Sequence, residues 1–208
     1  MEKELFKYPE SEKDVFDDFY KEIFYDNEYN RHGAKVQAGD VCIDLGAFVG
    51  MFSHYALTRG ASKIYSVEIN PESYKHLVNN TKNNPEIKTF LGEVSDQHNG
   101  KDLYSLEGII KDNNLPYVDF VKMDIERSEY PVLINIKDST LNKVKKWAIE
   151  MHLDWSDNKT RWSHGLDFHS HNTSKLLYIM DKFSTNGFNI ALEHVHKQYN
   201  IMMLYAWK

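Results

Sequence analysis

The chain has 208 residues, 41% of them hydrophobic, enough for one sizeable core and too few for two. A formal net charge of −6 disfavours nucleic-acid binding, and a lone cysteine, Cys42, excludes an internal disulfide and fits a reducing, cytoplasmic setting. No run approaches the roughly 18–20 apolar residues of a membrane helix, and the opening "MEKELFKYPESEKD" lacks the apolar stretch and cleavage pattern of a secretory leader.

Residues 11–28 place Val15, Phe16, Phe19, Tyr20, Ile23 and Phe24 at helical spacing, with Ser11 as the expected N-cap. Residues 1–38 read as a helical extension, with Tyr29, Arg31 and His32 as parts of a lid, and 39–208 as the main domain. From Val41 the pattern alternates. Strand-like runs "VCIDL", "KIYSVEI", "IKTFLGEV", "VDFVKMDI" and "KWAIEMH" are separated by helix-like segments near 50–59, 71–83, 103–114 and 128–137. Pro71 sits where a helix begins. This alternation predicts right-handed crossovers and a mostly parallel sheet. Residues 152–172 have no clear period and are dense in His, Trp and Asp, and long aperiodic segments are often functional. A helix over 173–187 and a terminal strand pair complete the chain.

A parallel open sheet binds ligands at the carboxyl ends of its strands. The first strand-to-helix turn here is Asp44-Leu45-Gly46-Ala47-Phe48-Val49-Gly50. Gly46 and Gly50 allow close backbone approach. A dinucleotide fingerprint needs a middle glycine where Phe48 stands, so a pyrophosphate has less room. The second strand ends at Glu68, placed to accept hydrogen bonds from both hydroxyls of a ribose. A ribose without a phosphate cradle points to S-adenosylmethionine. A nicotinamide-dependent oxidoreductase and a non-catalytic binding module on the same fold are the alternatives.

The segments "GDVCIDLGAFVGMFSHYA", "IYSVEINPESYKHLVNN", "VDFVKMDIERSEYPVL" and "WAIEMH" together resemble the FkbM family of S-adenosylmethionine-dependent methyltransferases, over about residues 39–152. The more specific part is Asp124-Ile125-Glu126-Arg127-Ser128-Glu129 followed by a strand ending Glu150-Met151-His152, with Arg127 where the family has glycine. The resemblance implies a Rossmann-like α/β fold: a seven-stranded, mostly parallel sheet with an antiparallel last strand and helices on both faces. It implies that Asp44, Gly46, Ala47 and Gly50 surround the methionine part of the cofactor, that Glu68 holds the ribose, and that Glu93 and Val94 lie beside the adenine.

Methyl transfer from a sulfonium needs alignment and, for a hydroxyl acceptor, removal of a proton. Asp124, Glu150 and His152 end neighbouring strands and form the expected acceptor site for a small molecule or glycan. His152 is the expected base, on an ordinary imidazole pKa near 6.5. The same three side chains could bind a divalent cation. Glu126 and Glu129 could instead cap a helix near Arg127. The pairs His169/His171 and His194/His196 read as solvated, and Trp155 and Trp162 as covers of the site or of the sheet edge.

Overall fold

The computed structural model describes residues 3–126, 128–153, 168–196 and 201–208. The expectations for Arg127, Trp155, Trp162 and the side chains of His169, His171 and His196 lie outside what is described. Nine strands and seven helices appear among the described residues. The strands are β1 (Val41–Leu45), β2 (Lys63–Glu68), β3 (Ile87–Leu91), β4 (Glu93–Val94), β5 (Leu103–Tyr104), β6 (Val118–Met123), β7 (Val144–His152), β8 (Asn189–His196) and β9 (Ile201–Trp207). The helices are α1 (Lys13–Phe24), α2 (Met51–Thr58), α3 (Pro71–Thr81), α4 (Leu106–Asp112), α5 (Glu129–Asn135), α6 (Asp138–Leu141) and α7 (Phe168–Thr185).

Seven strands form one sheet in the order β3-β2-β1-β6-β7-β9-β8. The pairings from β3 to β7 are parallel, and β9 runs antiparallel between β7 and β8. The chain reverses its direction of travel across the sheet between β1 and β6, so a cleft opens where those two strands end. The strands β1 and β6 are buried almost end to end, as expected of parallel strands covered on both faces. One face carries Phe16 of α1 and Phe52 of α2 against Cys42, Phe120 and Ala148. The other carries Ile109 of α4, Leu133 of α5 and Phe183 of α7 against Val67, Val121 and Trp147. No helix among the described residues is long and apolar enough to cross a membrane.

Local expectations hold where the signal is short-range. Asn70 caps α3, accepting from the amides of Glu72 and Ser73, and Pro71 takes the first helical position. They fail where tertiary contacts intervene. Ser11 is not the cap of α1, which starts after a short 3-10 turn with Glu12 at the cap. The run "IKTFLGEV" is broken at Gly92, where a Cβ would lie 2.6 Å from the Asp102 carbonyl oxygen. Residues 93–94 therefore pair with 103–104 in a separate small sheet, and the helix expected from 103 starts at Leu106. Helix α7 begins at Phe168, ahead of the start expected at 173.

The first 38 residues share the core of the domain. Phe6, Phe16, Tyr20, Ile23 and Tyr29 are buried in the same cluster as Cys42 and Phe52.

Candidate active site

At the cleft lies a cavity of about 470 Å³. The β1–α2 turn forms its floor, through Gly46, Ala47 and Phe48. Both Gly46 and Ala47 donate their amides to the Val67 carbonyl, tying the turn to β2. Gly46 has φ +80, and a Cβ there would lie 1.6 Å from the Asp124 carbonyl oxygen. This corrects the reason for expecting glycine at 46: the space a side chain would fill belongs to the end of β6, not to a ligand. Gly50 (φ +90) faces α3 instead, with a would-be Cβ 2.8 Å from Leu77, and it does not line the cavity.

Glu68 lines the cavity while nearly buried. Its Oε2 accepts from the Phe48 amide at 2.7 Å and its Oε1 from the Asn70 amide at 2.7 Å. Burial raises its pKa, and the two amides partly offset that. Phe48 reaches this position with φ +49, an uncommon conformation for a side-chain-bearing residue. The carboxylate is thus aimed by backbone, with lone pairs left for two hydroxyls. Glu93 and Val94 line the same cavity. Its outer wall is α1, through Val15, Phe19 and Ile23.

The other end of the cavity is built around a lysine that sequence reading passed over. Lys122 lies in the fully buried strand β6, and its ammonium is buried. It donates to the Gly46 carbonyl at 2.5 Å and stands 3.6 Å from Asp44 Oδ1 and 3.4 Å from Asp124 Oδ2. Burial alone would lower its pKa, but Asp124, Asp44 and Glu150 raise it, so it stays charged. Asp44 is fully buried, sits behind the cavity wall and accepts from Ser53 at 2.6 Å. Its Oδ1 makes no hydrogen bond. Burial raises its pKa against Lys122 and Ser53.

Asp124 lines the cavity, whereas Glu150 and His152 stand beyond its wall. The structure brings these three together: one ligating atom from each lies within 4.8 Å of the others, a spacing that a divalent cation would accept. Tyr29 joins them from the N-terminal segment. Its hydroxyl donates to Glu150 Oε2 and lies 3.3 Å from Asp124 Oδ2. Glu150 is buried, and burial followed by Asp124 raises its pKa, while His152 and the Tyr29 hydroxyl oppose that rise. Glu129, expected as a solvated cap, is fully buried. Its Oε1 lies 3.0 Å from His152 Nδ1 and accepts from the Ile125 amide.

His152 is therefore not an ordinary imidazole. Burial would lower its pKa, but Glu129, then Glu150 and Asp124, raise it to about 9. Glu126, held at φ +50, adds a carboxylate 3.5 Å from Nε2. At neutral pH the ring is an imidazolium, which corrects the expectation of a free base there. A stability consequence follows. A histidine raised from 6.5 to about 9 contributes stability that is complete below about pH 6.5 and lost as pH rises through about 9. Glu22, raised to about 8 by burial and by Glu28 and Asp124, acts in the same direction from about pH 4.5 upward. The melting temperature should fall steadily from pH 6 to pH 9.5. In His152→Gln the part above pH 7 should flatten, and a melting curve unchanged across that range in the wild type would contradict the arrangement.

Sequence comparison meets this geometry in two overlapping halves. The TRM5/TYW2 methyltransferase domain matches residues 14–121, and the Methyltransferase FkbM domain matches residues 91–190. The chain belongs to the TRM5/TYW2 methyltransferase domain family, and its second half matches the FkbM methyltransferase domain. The first match takes in the Gly46–Glu68 end of the cavity, and the second takes in Lys122, Asp124, Glu129, Glu150 and His152. The 31-O-demethyl-FK506 methyltransferase FkbM of Streptomyces tacrolimicus is 51% identical over 37 residues, 18% of this chain. The chain spans 9% and 14% of the lengths of the two curated relatives it matches. Among solved structures, a SAM dependent methyltransferase from Aquifex aeolicus superposes with TM-score 0.51 at 14% identity, over 96% of this chain and 98% of that one. Aeropyrum pernix fibrillarin, solved with natively bound S-adenosyl-L-methionine, has TM-score 0.51 at 18% identity, over 82% and 67%. At these identities the likeness is one of fold.

The residues present fit the cofactor. The cavity volume falls in the range of small-ligand sites. Glu68 offers a preset carboxylate to a ribose, and no phosphate-neutralising cluster accompanies it among the cavity residues described here.

Proposed function

We propose that this domain transfers a methyl group from S-adenosylmethionine to a hydroxyl of a small molecule or glycan. The carrying observation is the cavity's asymmetry. One end presents Glu68 on two backbone amides, and the other ends on Tyr29, Lys122 and Asp124 with Glu150 behind. A bound cofactor supplies an already activated methyl group, so the protein's part is alignment and proton removal. The carboxylates at the far end suit the second task. The FkbM match covers that end, and the Streptomyces relative is named for a 31-O-demethyl substrate. A Methanococcus jannaschii fibrillarin named as a pre-rRNA processing protein raises nucleic acid as an acceptor, but a net charge of −6 and a wall of buried acids would repel phosphodiesters. The first 38 residues act as the cofactor's cover.

The test is calorimetry with S-adenosylhomocysteine, then a labelled-methyl screen over hydroxylated sugars, polyols, phenols and amines. Binding with transfer to hydroxyls supports the proposal, and transfer to amines alone overturns it. A chelator that abolishes turnover would assign the Asp124–Glu150–His152 group to a metal. Glu68→Ala should weaken S-adenosylhomocysteine on the order of 10²-fold, because two hydrogen bonds to a charged acceptor are lost. Unchanged affinity would remove Glu68 from the site.

A further inference from the structure

The geometry points to Tyr29 as a catalytic residue: its hydroxyl takes the acceptor's proton while passing its own to Glu150. The inference rests on the hydroxyl-directed reading above. Tyr29 lines the cavity and Glu150 does not. Among the described residues Tyr29 both lines the cavity and donates its hydroxyl to Glu150 Oε2, so it links a hydroxyl in the cavity to the carboxyl group behind the wall. A phenolic oxygen that donates one hydrogen bond keeps lone pairs free to accept another.

Tyr29 is held for this role from several sides. Its ring packs edge-on to Phe52 and lies 5.4 Å from the Lys122 ammonium. The backbone before it is fixed where Tyr205 donates to the Glu28 carbonyl at 2.7 Å. The backbone after it is fixed where Arg31 and His32 meet Glu193 at 2.7 and 2.8 Å, joining the segment to β8. The phenol is not a free base. Its proton already lies on the hydrogen bond to Glu150 Oε2, so it takes a proton only by handing that one on. His152 Nε2 stands 3.7 Å from Glu150 Oε1, the oxygen that Tyr29 does not meet.

The step balances. The acceptor oxygen gains the methyl group and loses its proton to Tyr29 Oη, as the Tyr29 proton passes to Glu150 Oε2. One carboxylate charge and the one sulfonium charge disappear together, and the methyl–sulfur bonding pair stays on sulfur. Proton return to solvent resets Glu150.

Tyr29→Phe is the test, with Glu150→Gln beside it. Phenylalanine keeps the ring, so S-adenosylhomocysteine affinity and melting temperature should stay near wild type. Infrared difference spectra should show the Glu150 carboxylate band moved in Tyr29→Phe, and an unmoved band would overturn the contact on which the relay depends. Turnover of ordinary alcohols and phenols should fall by about 10²–10⁴. The double variant should be no slower than the slower single variant, as expected for groups acting in one step. 4-Nitrophenol, assayed well above its own pKa where it is the phenolate, needs no proton removed and should react near the wild-type rate. Equal losses on both acceptor types would make Tyr29 a positioning residue and overturn the relay. Unchanged turnover of hydroxyls would overturn it while leaving the hydroxyl reading intact. A wild type that binds cofactor but methylates no hydroxyl would overturn both.

Discussion

Gly46→Ala should be among the most damaging single-methyl additions in this chain. A Cβ at 46 would lie 1.6 Å from the Asp124 carbonyl oxygen, and that atom is backbone, unable to swing aside. Either β1 or β6 must shift at the point where the cofactor floor, Lys122 and Asp124 meet. Core overpacking of this kind costs about 1–3 kcal/mol or more, and the positive φ adds about 1 kcal/mol for a non-glycine residue. The sum approaches the exceptional range for a point change, about 4 kcal/mol. Gly39→Ala separates the two contributions. Gly39 has φ +88 but nothing within 4 Å of its would-be Cβ, so only the backbone penalty applies. Denaturant melts should show Gly39→Ala close to wild type and Gly46→Ala far below it, with S-adenosylhomocysteine binding lost in the second. Equal midpoints would mean that the β1–β6 approach is not tight.

Lys122→Met should lower the unfolding free energy by about 3–5 kcal/mol, the cost of removing one partner from a buried charge group. Methionine fills much the same volume. What it lacks is the charge facing Asp44 and Asp124 and the donor to the Gly46 carbonyl. For a chain of this size that corresponds to a fall in melting temperature on the order of 10 °C. Adding Asp44→Asn should recover part of the loss, because an amide needs no buried counter-charge. A Lys122→Met variant as stable as wild type would show that the carboxylates find another partner.

The sequence by itself determined the strand–helix order, the glycine turn, the acidic end of β2 and the strand-end positions of Asp124, Glu150 and His152. Those are local signals: apolar runs of strand length, a proline at a helix start, and glycines where backbone must turn. The FkbM motifs added the sheet topology, which periodicity alone leaves open. Tertiary structure alone decided the chemistry at the far end of the cavity. Tyr29 meets Asp124 and Glu150 across separations of 95 and 121 residues, and no local pattern encodes such a contact. His152 reads as a neutral base until Glu129, 23 residues away, is seen against its ring. Glu129 reads as a solvated cap until the fold buries it. A hint was present in Lys122, a charge placed with Asp119 inside a strand buried on both faces. A lysine survives there only when folding surrounds it with acceptors, and which acceptors they are depends on how β1 and β6 come together in space.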